Sequence, residues 1–241
     1  MPFLQLTDNT EQNDLLWEQF VERGNNLKPN VTVKGLGAGV SFLTNRMRIV
    51  GWRPSLEGFT VKSNITLINP GEPLMRDVWV HPEWGYGIRV ITRRLPDWKP
   101  SRWPSRGDEV PSARHTLGHY YDVHVIQWDG GKPSNGWLFQ NMIPKSQREN
   151  GEFFNHIYLH GGHTAVKGVG MTLKSVNYLV SDGHHIDASL EGGLDIDEHC
   201  RDIIWNSAFV EPSSQDPNKG NGYQSVSGEG KRHFTHRMLV V

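Results

Sequence analysis

The chain of 241 residues carries 25 basic and 26 acidic side chains, and 36% of its residues are hydrophobic. Nine Trp, nine Phe and six Tyr supply enough apolar area for a packed core, which excludes a largely disordered chain; the near balance of charge excludes a global field that attracts polyanions. The single cysteine, Cys200, excludes an intrachain disulfide and a Cys-based zinc cage, and no run of apolar residues is long enough to span a bilayer.

In chain order, the first 28 residues predict one helix: Leu15, Leu16, Gln19, Phe20 and Arg23 follow helical spacing, and Gly24 supplies a stop. The first 14 residues contain Asp8 and Glu11 and lack a basic segment followed by an apolar one, so no Sec signal peptide is expected. The expectation is a chain that stays cytoplasmic in its producer or leaves by a leaderless route. Residues 32–34, 48–52, 59–68, 77–81 and 86–93 are rich in Val, Ile, Thr and aromatics and predict strands. Turn chemistry such as Asn69-Pro70-Gly71 separates them.

Residues 95–113 hold Pro96, Trp98, Pro100, Trp103, Pro104 and Pro111, which forbids a helix and predicts an ordered loop or a linker. This stretch is the candidate boundary between a strand-rich region over 1–95, with a docking or adaptor role, and a second domain over 96–241, unless the two are continuous. Strands are then expected at 119–128 and 136–141, followed by a helix over 145–158. Extended runs follow at 171–180, 185–190, 203–210 and 233–240, and residues 212–230 predict a mobile loop. No internal repeat is visible. The expected fold class is α+β and strand-rich.

The segment richest in chemistry runs from residue 116 to 158. His119 lies at a strand end, Asn141 ends the next strand, Pro144 sits near the expected helix start, and Asn150 falls inside that helix against its propensity. A carboxamide oxygen is a hard ligand suited to Mg²⁺, and an imidazole activates water near neutral pH. Together they form a constellation for phosphodiester hydrolysis, with His124 as a rival base.

Gly118-His119, then Asn141-Met142-Ile143-Pro144-Lys145, then Asn150 nine residues after Asn141 and Phe154 beyond it, resemble the ββα-metal (His-Me finger) core of the DNA/RNA non-specific endonuclease family. The resemblance covers about 40 residues. It implies that His119 is the general base, that Asn150 is the protein ligand to Mg²⁺ (or another divalent cation such as Mn²⁺), and that Asn141 holds the site geometry. It also implies a toxin-type nuclease acting on DNA or RNA, with an immunity or inhibitor protein as a further partner. Thr116 and Leu117 replace the Asp-Arg of the family motif, so another cation must contact phosphate. Arg114, Lys145, Arg148 and Arg106 are the candidates, with Trp103 stacking on bases in the groove wall.

Other clusters carry competing readings. His156, His160 and His163, with His184 and His185 beside Asp182 and Asp187, suggest a His-liganded Zn²⁺ hydrolase or plain turn and capping residues. Gly35-Leu36-Gly37-Ala38-Gly39 lacks the helix that a phosphate loop needs and reads as a turn. The abundance of Trp in a strand-rich chain also fits a non-catalytic module that binds carbohydrate or protein.

Overall fold

Every strand pairing among the described residues is parallel. The computed structural model describes residues 1–94, 113–127, 132–148, 152–189, 192–206, 210–212, 223–226 and 234–237. The strands are β1 (Phe3–Gln5), β2 (Thr32–Lys34), β3 (Phe42–Leu43), β4 (Met47–Val50), β5 (Ser55–Val61), β6 (Ile65–Ile68), β7 (Leu74–Val80), β8 (Gly85–Thr92), β9 (Gly118–Ile126) and β10 (Ser134–Asn141). They continue as β11 (Asn155–His160), β12 (His163–Ala165), β13 (Val169–Lys174), β14 (Asn177–Asp182), β15 (His185–Ser189), β16 (Gly192–Ile196), β17 (Arg201–Asn206), β18 (Val210–Pro212), β19 (Tyr223–Val226) and β20 (Phe234–Arg237). From β4 onward the chain alternates between two sheets. One runs β4-β6-β8-β10-β13-β16-β19, and the other runs along β5-β7-β9-β11-β14-β17-β20, extended by β1 and β2. Each turn of the chain thus stacks on the one before it, and the result is a parallel β-helix.

This architecture corrects the expected ββα-metal core. Residues Lys145–Gln147 make a single 3₁₀ turn, and Asn155–His160 is a strand in register with β9 and β14, where the sequence predicts one helix over 145–158. Ile157 and Leu159 are buried while His156, Tyr158 and His160 are half-buried, a period of two that suits a sheet. Pairing on both sides overrides the local pattern read as helical. The only α-helix among the described residues is α1 (Thr10–Glu22), capped by the Asn9 side chain accepting from Gln12 N–H at 2.9 Å. It buries Asn13, Trp17 and Phe20 rather than Leu15, which is 54% exposed, and it packs on β3 at one end of the stack. Gly24 ends the helical segment with φ +65, as expected of a stop.

Several predicted strands resolve into pairs. Residues 59–68 divide between β5 and β6, 171–180 between β13 and β14, and 203–210 between β17 and β18. The stretch 212–230 lies largely outside the described residues; within it Tyr223–Val226 pairs with β16. Most of 95–113 also lies outside them, yet the sheets run across it, because β7 pairs with β9 and β8 with β10. No helix among the described residues is long and apolar enough to cross a membrane.

The core is built from inward columns. Met47, Ile65, Ile88, Trp137, Met171 and Leu194 form one, and Ile49, Leu67, Val90, Phe139, Leu173 and Ile196 the next; all are essentially solvent-free. Facing them, Leu56, Met75, Tyr120 and Leu159 line the other sheet, with Tyr120 edge-on to Trp137 and Phe139 at 5.5 and 5.6 Å. Burying each such side chain stabilises the fold by about 1.5–3 kcal/mol.

A second column sets the cross-section. Glu57, Arg76, Tyr121, His160 and Asp182 are register partners, and the residue after each (Gly58, Asp77, Asp122, Gly161 and Gly183) has a positive φ between +49 and +74. These left-handed residues bend the sheet into two faces at the same place on five coils. Gly and Asp are the residue types that tolerate this region. Gly162 closes one such corner at φ +88, where a Cβ would lie 2.4 Å from the Val123 carbonyl oxygen.

Candidate functional site

The outward side chains ahead of the bend form a group of rings. His119 and Tyr121 alternate outward on β9, and Tyr158 and His160 do so on β11. Register places His119 beside Tyr158 and Tyr121 beside His160. The ring centroids of these neighbours are 4.8 and 4.5 Å apart, with interplanar angles of 13° and 9°. Along the strands, His119 and Tyr121 lie at 5.8 Å and Tyr158 and His160 at 6.3 Å, again nearly parallel. Because the stacking follows the direction from coil to coil, ring edges, with their nitrogens and hydroxyls, face outward. The His119 Nδ1 lies 3.4 Å from both His160 Nε2 and the Tyr121 hydroxyl. Burial and, secondarily, the neighbouring His160 pull the His119 pKa below its ordinary value, which favours the neutral ring.

Arg76 borders this quartet, with its guanidinium 5.4 Å from the Tyr121 ring centroid, exposed and without an ion-pair partner among the described residues. On the other side, Tyr178 meets Tyr158 edge-on at 6.1 Å and His156 at 5.2 Å. His156 and Tyr178 both take positive φ, and each stands one residue past the Asn155–Asn177 register pair, so the two strands bend at the same place without a change of register.

Past the bend lies a second group. The Asp122 Oδ1 contacts His124 Nε2 at 2.9 Å, and the Asp187 Oδ2 contacts His163 Nε2 at 2.5 Å. His124 and His163 are register partners on adjacent coils, their centroids 6.4 Å apart and their rings perpendicular. Trp79, on the preceding coil, lies 4.7 Å from the His124 ring.

Two histidines are structural. His184 is buried; its Nδ1 donates to Gly161 O at 2.9 Å, and its Nε2 accepts from Thr164, whose hydroxyl oxygen accepts from Trp137 Nε1. His115 stacks on Phe154 at 4.3 Å, donates through Nδ1 to Asn155 O and accepts through Nε2 from the Tyr120 hydroxyl. Burial lowers both pKa values to about 3.

The residues proposed from sequence separate. His119 belongs to the ring quartet. Asn141 is buried at the end of β10 in the other sheet, where its Oδ1 accepts from Ile143 N–H at 3.0 Å. Asn150, Arg106 and Trp103 lie outside the described residues. Arg114 packs its guanidinium over Phe153 at 4.6 Å and Trp52 at 5.3 Å, and Arg148 donates through Nε to Ile143 O at 2.9 Å; burial lowers the pKa of both. Lys145 is exposed on the 3₁₀ turn. His119 and Asn141 therefore stand in different sheets, and the expected pairing of His119 with Asn150 lies outside the described residues. The zinc grouping is also dispersed: His160 stands before the bend, His163 beyond it and His184 inside. Among the described residues, no group of three or more His, Cys, Asp or Glu side chains is arranged to hold a metal ion.

Sequence reasoning singled out His119, His160 and His163 but missed Tyr121, Tyr158 and Arg76. The signal was the pair of aromatic alternations, His119-x-Tyr121 and Tyr158-x-His160, which put four rings on one face once both segments are strands. In comparison with known proteins, no family model, no curated protein and no solved structure matches the chain.

Proposed function

We propose that this protein binds a linear polysaccharide along the outer face of its β-helix. The observation that carries the reading is the ring quartet of His119, Tyr121, Tyr158 and His160, four half-buried aromatic side chains with outward hydrogen-bonding edges. Half-burial fixes the rings in advance, so little side-chain entropy is lost when a ligand docks. Phenol hydroxyls and imidazole nitrogens offer hydrogen-bonding edges, which suits a polymer dense in hydroxyl groups. The coil spacing of about 4.8 Å sets the two pairs of rings apart by close to the length of one sugar residue. The ββα scaffold that the Mg²⁺-dependent nuclease expectation required is replaced here by parallel strands.

The test is affinity electrophoresis of the full chain in gels containing polygalacturonate, alginate, xylan or dextran. Retardation by at least one polymer is expected, with loss in Tyr158→Ala and His119→Ala proteins that keep the wild-type melting temperature. Equal mobility in every gel would remove the proposal.

A further inference from the structure

The two histidine–carboxylate pairs beyond the bend have the makings of an acid–base centre, and the ring quartet does not use them. We infer that His124 and His163 cleave a 4-linked uronate polymer by β-elimination; this rests on the polysaccharide reading above. Asp122 holds His124 through Nε2, and Asp187 holds His163 in the same way. Each carboxylate thereby fixes the tautomer with the proton on Nε2 and leaves Nδ1 as the ring nitrogen able to exchange a proton. Neither Nδ1 has a hydrogen-bond partner among the described residues, and the His163 and Asp187 side chains are 32% and 33% exposed. Asp122 reaches back to His124 because the left-handed bend at φ +51 turns the chain between them.

Elimination needs one base, one acid and a cation for the sugar carboxylate; it needs no nucleophile and no redox partner. His163 is the base, because its close carboxylate partner stabilises the imidazolium that forms. Its neutral Nδ1 takes the proton from C5 of the uronate. The C5–H electron pair becomes the C4=C5 double bond, and the C4–O bond breaks. Protonated His124 gives its Nδ1 proton to the departing glycosidic oxygen, which leaves as the C1 hydroxyl of the preceding sugar. One proton is gained and one lost, so exchange with solvent resets the pair. Arg76, one coil earlier and just across the bend beside Tyr121, without a carboxylate partner among the described residues, is the cation we assign to the carboxylate of a uronate chain that crosses the bend. Trp79 supplies an apolar wall against His124.

The experiment incubates the full chain with polygalacturonate and with alginate, and follows the ultraviolet absorbance of the conjugated C4=C5 bond. A rise is expected on at least one polymer, with none on the same polymer after its carboxyl groups are reduced. His163→Gln and His124→Gln should each slow it by roughly 10²–10⁴-fold. Both variants should still be retarded in affinity gels, and the wild-type rate should show a bell-shaped pH dependence. Retardation without any rise in absorbance overturns the catalytic inference while leaving the binding reading intact; absence of retardation overturns both. Reducing ends that appear without the double bond, or cleavage of an RNA oligonucleotide that depends on the same histidines, would also overturn it.

Discussion

Acidification should destabilise this fold well before its carboxylates titrate. His115 and His184 are buried as neutral rings, each with both nitrogens hydrogen-bonded, and burial holds each pKa at about 3. In the unfolded chain the same rings titrate near ~6.5. Below that value the unfolded state binds protons that the folded state refuses, so the stability supplied by these residues is complete above about pH 6.5 and is lost as the pH falls toward about 3. Each such group contributes a slope approaching 1.4 kcal/mol per pH unit, so the pair removes about 2.5 kcal/mol per unit near pH 5.5. His81 and His119, whose pKa values burial also lowers, steepen it further. Against a typical domain stability of ~5–15 kcal/mol the loss is large. Urea unfolding followed by Trp fluorescence, in steps between about pH 7.5 and 5, measures it directly. In His184→Asn, whose amide nitrogen stands where Nδ1 does and can donate to Gly161 O but does not titrate, the slope should fall by about 1.2 kcal/mol per pH unit. A stability that stays level or rises on acidification across this range would refute the reasoning, as would an unchanged slope in the variant.

Three other outcomes follow from the packing. In Gly136→Ala the new Cβ would sit 2.1 Å from the Gly170 carbonyl oxygen, so a loss of about 1–3 kcal/mol is expected in urea titrations. Phe139→Ala removes a ring at the centre of the aromatic cluster and should cost about 3–5 kcal/mol by the same measurement. Cys200 is solvent-free and burial pushes its thiol pKa up, so native protein should react with a disulfide reagent only as fast as it unfolds, whereas urea-unfolded protein reacts at once.

The strands were legible wherever a coil announced itself by alternation. Residues 32–34 and β2 coincide, and β4, β7 and β8 fall within a few residues of their predicted positions, because Val, Ile and aromatic residues alternate with polar ones there. The repetition was not legible. The corner residues Gly58, Asp77, Asp122, Gly161 and Gly183 stand 19, 45, 39 and 22 residues apart, since segments of unequal length separate the coils without disturbing the stack. A fixed period is the usual sign of a solenoid, and unequal loops erase it. The helix expected over 145–158 failed for a different reason: Ile157 and Leu159 satisfy either a helix face or a strand face over so short a span, and only the neighbours on β9 and β14 decide between them. The site was half legible. Single histidines drew notice, but their true companions lie about 40 positions away and meet only through register.

The stacked corners give length change in this protein a natural quantum. Gly161 and Gly183 occupy equivalent positions one coil apart, so excising the segment between them in full would bring β17 toward the place of β14 with its inward and outward residues unchanged. Removing a single residue from within a strand would instead turn the rest of that strand's side chains to the opposite face. Heredity can therefore lengthen or shorten such a rod by entire turns far more readily than by single amino acids, and any polymer reading its flank would gain or lose footing one sugar-sized step at a time.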